Sequence, residues 1–352
     1  MIIIMEPGAT KAQIDNVVEH LESHGFKINI NYGDVLTVIA AIGDKRLVQP
    51  HSLLSFDGVR EIKSIQDPFK LASRESQKED TVIEFSNGVK IGGENRPVVI
   101  AGPCSVEENL DGLLEVAHAV KEAGGQFLRG GAFKPRTSPY DFQGLEEKGL
   151  QYLAKAREKT GLLIVTEVMD TLDLPLVCEY ADVIQVGARN MQNFKMLKAI
   201  GKTNKPVILK RGPAAGIKEF LLAAEHIMYN GNSNVILCER GIKGFDSGYT
   251  RNVLDLAAVG VIKRYSHLPI IVDPSHATGR RYLIEPMSKA AIVAGANGIM
   301  IEVHNNPDKA WSDGAQSLAV PQFKKLMCHI TKLIDVLETE CSQDDAVPCV
   351  TG

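Results

Sequence analysis

The sequence predicts an α/β protein: a (β/α)8 TIM barrel preceded by a small ferredoxin-like (βαββαβ) domain. Three observations carry this. The first 66 residues follow a strand, helix, strand, strand, helix, strand order. A polar stretch comes next. From Arg96 onward, eight short apolar runs alternate with helical stretches over roughly 240 residues, the size expected of such a barrel.

The first domain is expected over residues 1–66. An apolar run at 2–5 leads into a helical pattern over 10–24 that sets Ile14, Val17, Val18 and Leu21 on one face. Thr10 suits the N-cap and Gly25 the C-terminal stop. Extended runs at 26–30 and 35–42 flank a turn at Asn31-Tyr32-Gly33-Asp34. A second helical stretch follows near 45–54, and 59–65 closes the order as a strand. Residues 67–80, DPFKLASRESQKED, are polar with few periodic apolar positions and read as a linker.

The barrel domain is expected over 81–340. It opens with a hairpin at 81–91, turned by the two residues Asn87-Gly88 and placed to plug the barrel bottom. The eight strand runs are 98–100, 127–128, 162–165, 183–186, 207–209, 235–237, 270–272 and 299–303. They are continuously apolar rather than alternating, as strands buried on both faces require. A final helix is expected at about 321–338, and 341–352 reads as a flexible tail.

Composition excludes several function classes. The chain has 352 residues, 44% hydrophobic and 23% charged, with a net charge of −4. Its lysines and arginines are scattered, which leaves no footprint for nucleic acid or an anionic membrane. The N-terminus MIIIMEPG has neither the basic region nor the cleavage site of a signal peptide. No segment reaches the ~18 apolar residues of a membrane span. The six cysteines lack CxxC spacing, so a cytoplasmic location is expected. Cys178, Cys238 and Cys328 are expected to be packing residues, with Cys341 and Cys349 as free thiols in the tail.

The chemistry is read from the residues that end each strand, because barrel active sites form there. These endings are Gly102-Pro103-Cys104, Arg129-Gly130-Gly131, Thr166-Glu167, Gly187-Ala188-Arg189, Lys210-Arg211-Gly212, Glu239-Arg240-Gly241, Asp273-Pro274-Ser275-His276 and Glu302-Val303-His304. A ring of Arg129, Lys134, Arg136, Arg189, Lys210 and Arg240 around one cavity would repel itself unless anions bind there. It predicts a substrate with phosphate and carboxylate groups. One such arginine alone would as readily be a surface cation paired to a carboxylate; the set together is not read that way.

Cys104, His276, Glu302 and Asp313 form a second constellation, at the ends of the first, seventh and eighth strands and in the loop after the eighth. A thiolate, an imidazole and two carboxylates make a mixed soft and hard set. It suits a divalent transition metal of the manganese, iron, cobalt, zinc or copper class rather than calcium. Taken singly, Cys104 would be a buried apolar residue and His276 or His304 a hydrogen-bonded structural histidine. His304 is left out of the ligand set.

At these residues the sequence resembles the 3-deoxy-D-arabino-heptulosonate 7-phosphate (DAHP) synthases, in the type I beta subfamily with a ferredoxin-like regulatory domain in front. The matching stretches are IAGPCSVE (100–107), LRGGAFKPRTSPYDFQGL (128–145), VTEV (165–168), IQVGARNMQNF (184–194), ILKRG (208–212), ILCERG (236–241), VDPSHATGRR (272–281), IEVH (301–304) and SDGAQSL (312–318). The resemblance runs from the first residues almost to Leu337. It implies metal-dependent condensation of phosphoenolpyruvate with erythrose 4-phosphate at the head of the shikimate pathway. Cys104, His276, Glu302 and Asp313 are implied metal ligands. Arg129, Lys134, Ala188 through its backbone, Arg189, Lys210 and Arg240 would meet phosphoenolpyruvate, with Glu167 beside it. Lys134, Pro135, Arg136, Thr137 and Asp313 would meet erythrose 4-phosphate.

Lys134 is the implied proton donor, and Glu167 is the group implied to handle the attacking water. A tyrosine or phenylalanine effector and a homotetramer follow from the same resemblance. The sister 3-deoxy-octulosonate 8-phosphate synthases, which use arabinose 5-phosphate, are the alternative. Their loop after the second strand reads K-A-N-R where this chain has Lys134-Pro135-Arg136-Thr137, which favours the heptulosonate reading. A barrel that merely binds phosphorylated metabolites would need no Lewis acid.

Overall fold

The structure, a computed structural model, describes residues 1–33, 36–43, 47–48, 50–63, 68–134, 138, 140, 142–246 and 248–344, with backbone alone at 50, 51 and 340–344. It divides into two units, Met1–Asp80 with Lys263–His267, and Thr81–Ile262 with Leu268–Gly352.

In the first unit, β1 (Ile2–Met5), α1 (Lys11–Ser23), β2 (Lys27–Tyr32), β3 (Thr37–Ile42), α2 (Pro50–Leu53) and β4 (Val59–Lys63) build an antiparallel sheet in the order β2-β3-β1-β4. The wholly apolar β1 lies between two neighbours, while α1 buries Ile14, Val17 and Leu21 in a core shared with Ile3, Met5 and Ile39. Thr10 and Gln13 form the capping box that starts α1. At its other end, the N–H groups of Gly25 and Phe26 donate to the carbonyls of Glu22 and Leu21. β2 runs two residues further than expected, because Asn31 and Tyr32 pair with Val38 and Thr37 before the chain turns. Of the second expected helix the described residues show α2; 44–46 and 49 lie outside them.

The expected linker is not a free spacer. Phe69, Leu71 and Ala72 are buried, so three apolar side chains anchor a stretch that its polar composition had marked as loose. Arg74 donates to the carbonyls of Lys263 and Ser266, both at 2.9 Å. His267 Nε2 lies 2.6 Å from the Leu71 carbonyl.

Burial lowers the pKa of His267, opposed by its bond to Leu71. The unfolded chain therefore takes up a proton near the ordinary histidine value while the folded chain resists it. Stability is fully held above that value and declines as pH falls through it. The Tm should fall more steeply below about pH 6.5 than that of His267→Gln, whose amide still donates to Leu71. Parallel profiles would remove His267 as the source.

The second unit opens with a hairpin, β5 (Ile83–Glu84) and β6 (Lys90–Ile91). Its loop has three residues rather than the expected two: Gly88 donates to the Phe85 carbonyl and sits at φ +82, while Phe85 donates to the Val89 carbonyl. This is a type I turn followed by a left-handed glycine, the standard three-residue alternative to a primed turn.

The barrel strands are β7 (Val98–Gly102), β8 (Phe127–Arg129), β9 (Leu163–Val168), β10 (Val183–Val186), β11 (Val207–Lys210), β12 (Val235–Glu239), β13 (Ile270–Val272) and β14 (Gly298–His304). All are parallel, each pairs with the next, and β14 pairs with both β13 and β7 to close the ring. Ile83, Phe85 and Ile91 of the hairpin share one apolar cluster with residues from all eight strands, Phe85 meeting Phe127 edge-on at 5.0 Å. Gly102, at φ +149, ends β7 where an added Cβ would fall 2.2 Å from the Arg129 carbonyl, so the first two strands close together only over a glycine.

Around the barrel run α3 (Leu110–Glu122), α4 (Glu146–Thr160), α5 (Leu174–Tyr180), α6 (Phe194–Ile200), α7 (Ile217–Tyr229), α8 (Ala257–Tyr265), α9 (Pro274–Thr278) and α10 (Arg281–Val293), and the last helix, α11 (Val320–Asp344), continues past the expected end. Cys238 is buried as expected, but Cys328 is exposed on the solvent side of α11. The side chain of Cys341 and all of Cys349 lie outside the description. Among the described residues, no helix is long and apolar enough to cross a membrane.

Candidate active site

The four metal-ligand types converge as the strand-end reading expects. Cys104 follows β7, Glu302 lies on β14, and Asp313 sits in the loop beyond it. His276 belongs to the short helix α9 (Pro274–Thr278), which starts directly after β13 because Asp273 caps it, accepting the His276 N–H at 2.9 Å, with Pro274 in the first turn. One ligand atom from each of Cys104, His276, Glu302 and Asp313 lies within 4.8 Å of all the others.

Glu302 is fully buried. Its Oε2 accepts from Gln316 at 2.6 Å. Its Oε1 lies 3.2 Å from His276 Nε2 and 3.3 Å from Arg129 Nη1, yet has no hydrogen bond among the described residues. A buried carboxylate oxygen aimed into a cluster of donor atoms is what a cation site requires. His276 Nδ1 meets Asp273 at 2.7 Å, leaving Nε2 for the cluster; burial holds its pKa down against the pull of Asp273 and Glu302. Burial, with the neighbouring Glu302, pushes the Cys104 thiol up to about 12. That thiol donates to Asp313 at 3.1 Å. Burial works against ionisation of Asp313, but the bond from Cys104 and the charges around it keep its carboxyl below the usual range.

A cavity of about 380 Å³ opens beside this cluster. Lys134, Glu167, Ala188, Arg189, Lys210, Arg240, His276 and Asp313, all expected at the site, line it. Lys134 Nζ donates to the Cys104 carbonyl at 2.9 Å and to its Sγ at 3.1 Å. Lys210 donates to Asp273 at 2.6 Å, with both side chains buried. Arg189 and Arg240 have no ion pair among the described residues, and burial lowers the pKa of Arg240. Cations held without carboxylate partners in a half-closed cavity make an anion site. A larger groove, about 660 Å³, lies between α10 (Arg281–Val293) and α11; its Lys289 and His329 both pair with Glu285, and none of the expected site residues lines it.

Two expectations shift. Arg129 does not line the cavity: its buried side chain lies against Glu302, with Nε and Nη1 free of hydrogen bonds among the described residues. Pro135, Arg136 and Thr137 lie outside the described residues. Sequence reasoning named Asp273 in a strand ending without giving it a role, and missed Gln185, Lys243, Arg251 and Asn252. The role of Asp273 could have been found, since Asp-Pro three residues before His276 is a helix-start signal. Gln185 donates to Glu167 at 2.9 Å and is a polar residue within an apolar strand run. Lys243, Arg251 and Asn252 come from the loop after β12 and carry no local signal.

Glu167 lies against the backbone of Gly187. A Cβ at Gly187 would fall 2.0 Å from its Oε1. Gly187→Ala is therefore expected to displace that carboxylate and lower kcat by roughly 100-fold, the usual effect of a 1 Å misplacement. Steady-state rates check this, and unchanged turnover would show that Glu167 has no positional role.

Fold and site together define a barrel enzyme with a divalent-cation type of donor cluster beside a cavity lined by lysines and arginines. The chain belongs to the DAHP synthetase I family, whose family model matches residues 80–339, and a model of the DAHP synthase ferredoxin-like domain matches 1–67. It is 52% identical to the phospho-2-dehydro-3-deoxyheptonate aldolase of Thermotoga maritima over 337 residues, 96% of this chain and 98% of that protein. A crystal structure of the Thermotoga maritima protein superposes with a TM-score of 0.76, covering 96% of this chain and 97% of that one. The 2-dehydro-3-deoxyphosphooctonate aldolase of Syntrophotalea carbinolica is 32% identical over 257 residues, 68% of this chain and 91% of that protein.

Proposed function

We propose that the chain condenses phosphoenolpyruvate with D-erythrose 4-phosphate and water, giving 3-deoxy-D-arabino-heptulosonate 7-phosphate and phosphate, the first step of the shikimate route to aromatic amino acids. The observation that carries this is the Cys104, His276, Glu302 and Asp313 cluster at the wall of a cavity where Arg189 and Arg240 have no ion pair among the described residues. A divalent ion of the manganese, iron, cobalt, zinc or copper class held by these four residues would supply a Lewis acid for the aldehyde carbonyl.

The chain's own residues do the rest. Arg189, Lys210, Arg240 and the Ala188 backbone hold the carboxylate and phosphate of phosphoenolpyruvate, with Arg129 buried behind them. Its C3 attacks the aldehyde carbon, forming one C–C bond. Water adds at C2, and phosphate leaves with cleavage of its C–O bond. Lys134, 3.1 Å from Cys104 Sγ, delivers a proton to the new hydroxyl oxygen. Glu167, fixed by Gln185, orients the water and accepts its proton. Lys134, Pro135, Arg136, Thr137 and Asp313 receive erythrose 4-phosphate.

The octulosonate alternative is weaker. Identity to such an enzyme is 32% over 68% of the chain, against 52% over 96% for the heptulosonate relative. The ferredoxin-like domain is proposed to bind tyrosine or phenylalanine as a feedback inhibitor, and the chain to assemble as a homotetramer. Inhibition assays and light scattering test these two points.

The deciding experiment is phosphoenolpyruvate consumption by the purified chain with Mn²⁺, comparing erythrose 4-phosphate with arabinose 5-phosphate, with and without chelator. Chelator-sensitive loss with the four-carbon aldehyde supports the proposal. Turnover with the five-carbon aldehyde alone would overturn it in favour of the sister activity.

A further inference from the structure

Asp313 is one of two non-glycine residues with positive φ among the described residues, at φ +51 and ψ +31. A side chain in the left-handed region persists only where its surroundings hold it there. The loop around it is tied at several points. Ser312 Oγ meets Ser105 Oγ at 2.6 Å, and Arg281 donates to the Gly314 carbonyl at 3.0 Å.

A further tie runs through two ionisable residues outside the donor cluster. Glu107 Oε1 accepts the Trp311 N–H at 2.7 Å, two residues before Asp313, and lies 3.2 Å from His304 Nε2. His304 Nδ1 accepts the Asn306 N–H at 3.0 Å. A ring nitrogen that accepts carries no hydrogen, so the hydrogen sits on Nε2 and points at Glu107. Both side chains are nearly buried, at 14% and 11% exposure. Glu107 thus joins three pieces: the loop after β7, which carries Cys104; the end of β14, which carries Glu302; and the loop bearing Asp313.

We propose that Glu107 and His304 are positioning residues, fixing the loop over 305–313 so that Asp313 is presented to the cluster in its left-handed conformation. The inference rests on the reading that Cys104, His276, Glu302 and Asp313 bind a divalent metal. Neither residue touches that cluster; each acts through the backbone N–H groups it holds. The acceptor oxygen of Glu107 matters, not its charge.

Titration calorimetry of the full chain with Mn²⁺, without substrates, tests this. Glu107→Ala should weaken Mn²⁺ binding by about 10- to 100-fold, the usual loss when a group supporting a metal ligand is removed. Glu107→Gln, whose amide oxygen still accepts from Trp311 and His304, should bind like the parent. Where Glu107→Ala does not fold, His304→Ala replaces it with the same expectation. Cys104→Ala is the reference. If Cys104→Ala loses Mn²⁺ while Glu107→Ala keeps the parent affinity, the clamp is wrong and the metal reading stands. If Glu107→Gln is as weak as Glu107→Ala, the acceptor geometry is not what matters and the proposal falls. If Cys104→Ala binds like the parent, the metal reading falls and takes the clamp with it.

Discussion

Replacing Cys104 with alanine is expected to lower kcat/KM by on the order of 1000-fold and to abolish the response to added Mn²⁺. A Lewis acid at a developing oxyanion is worth several kcal/mol, and each 1.36 kcal/mol is tenfold in rate. Cys104 is the soft member of the donor set and lies at the centre of its contacts, bonded by Lys134 Nζ at 3.1 Å and donating to Asp313 at 3.1 Å. Its loss removes a donor atom of the cluster and one of two contacts on the lysine proposed as proton donor, whose bond to the backbone carbonyl of residue 104 remains. The side chain is small, so the fold should survive. Mn²⁺ titrations of activity, with circular dichroism as the folding check, measure the effect. Full metal-dependent turnover in this variant would remove the four-residue cluster as the catalytic centre.

The largest stability effect is expected from Arg211→Met, a residue one position from the anion site but turned away from it. Arg211 Nη1 pairs with Glu239 at 2.9 Å and with Asp255 at 2.8 Å, while its Nε donates to the Ala215 carbonyl at 2.9 Å. Glu239 is fully buried, and burial already pushes its pKa up against the pull of Arg211. Without the guanidinium, that carboxylate keeps backbone donors but no counter-charge. Breaking a buried pair from one side costs about 3–5 kcal/mol. Urea denaturation should show this loss, and Arg211→Met with Glu239→Gln should recover much of it because the one carboxylate left without its partner, Asp255, is partly exposed to water. A single variant as stable as the parent would mean that the network contributes nothing net.

Much of the barrel could be read from the chain alone because its information is local. Strands buried on both faces must be continuously apolar, so all eight were visible, and the chemistry of such a fold sits at the next few residues. Cys104, His276, Glu302 and Asp313 were therefore found without knowing any contact. What stayed hidden depends on partners distant in sequence. Arg211 and Lys210 are adjacent and chemically alike, yet one pairs with residues 28 and 44 positions away and the other lines the cavity. The stretch over 68–80 looked loose because its charge outweighs Phe69, Leu71 and Ala72 in composition, although those three are what anchor it. The outward turn of Cys328 and the extra residue in the hairpin loop were likewise decided by packing and twist rather than by residue type.

Asp273 accepts from Lys210 with the same Oδ2 that meets His276 Nδ1, at 2.6 Å and 2.7 Å. One oxygen atom thus joins a residue of the four-donor cluster to a residue that lines the cavity. On the function proposed above, binding at either side would redistribute the charge that this atom shares with the other, so the two ligands would have a coupling free energy. By reciprocity, whatever factor a bound cation lends to the affinity for the anion, the anion returns to the cation. On that reading the two halves of the site are one thermodynamic unit, and a substitution designed for one of them is also a substitution in the other.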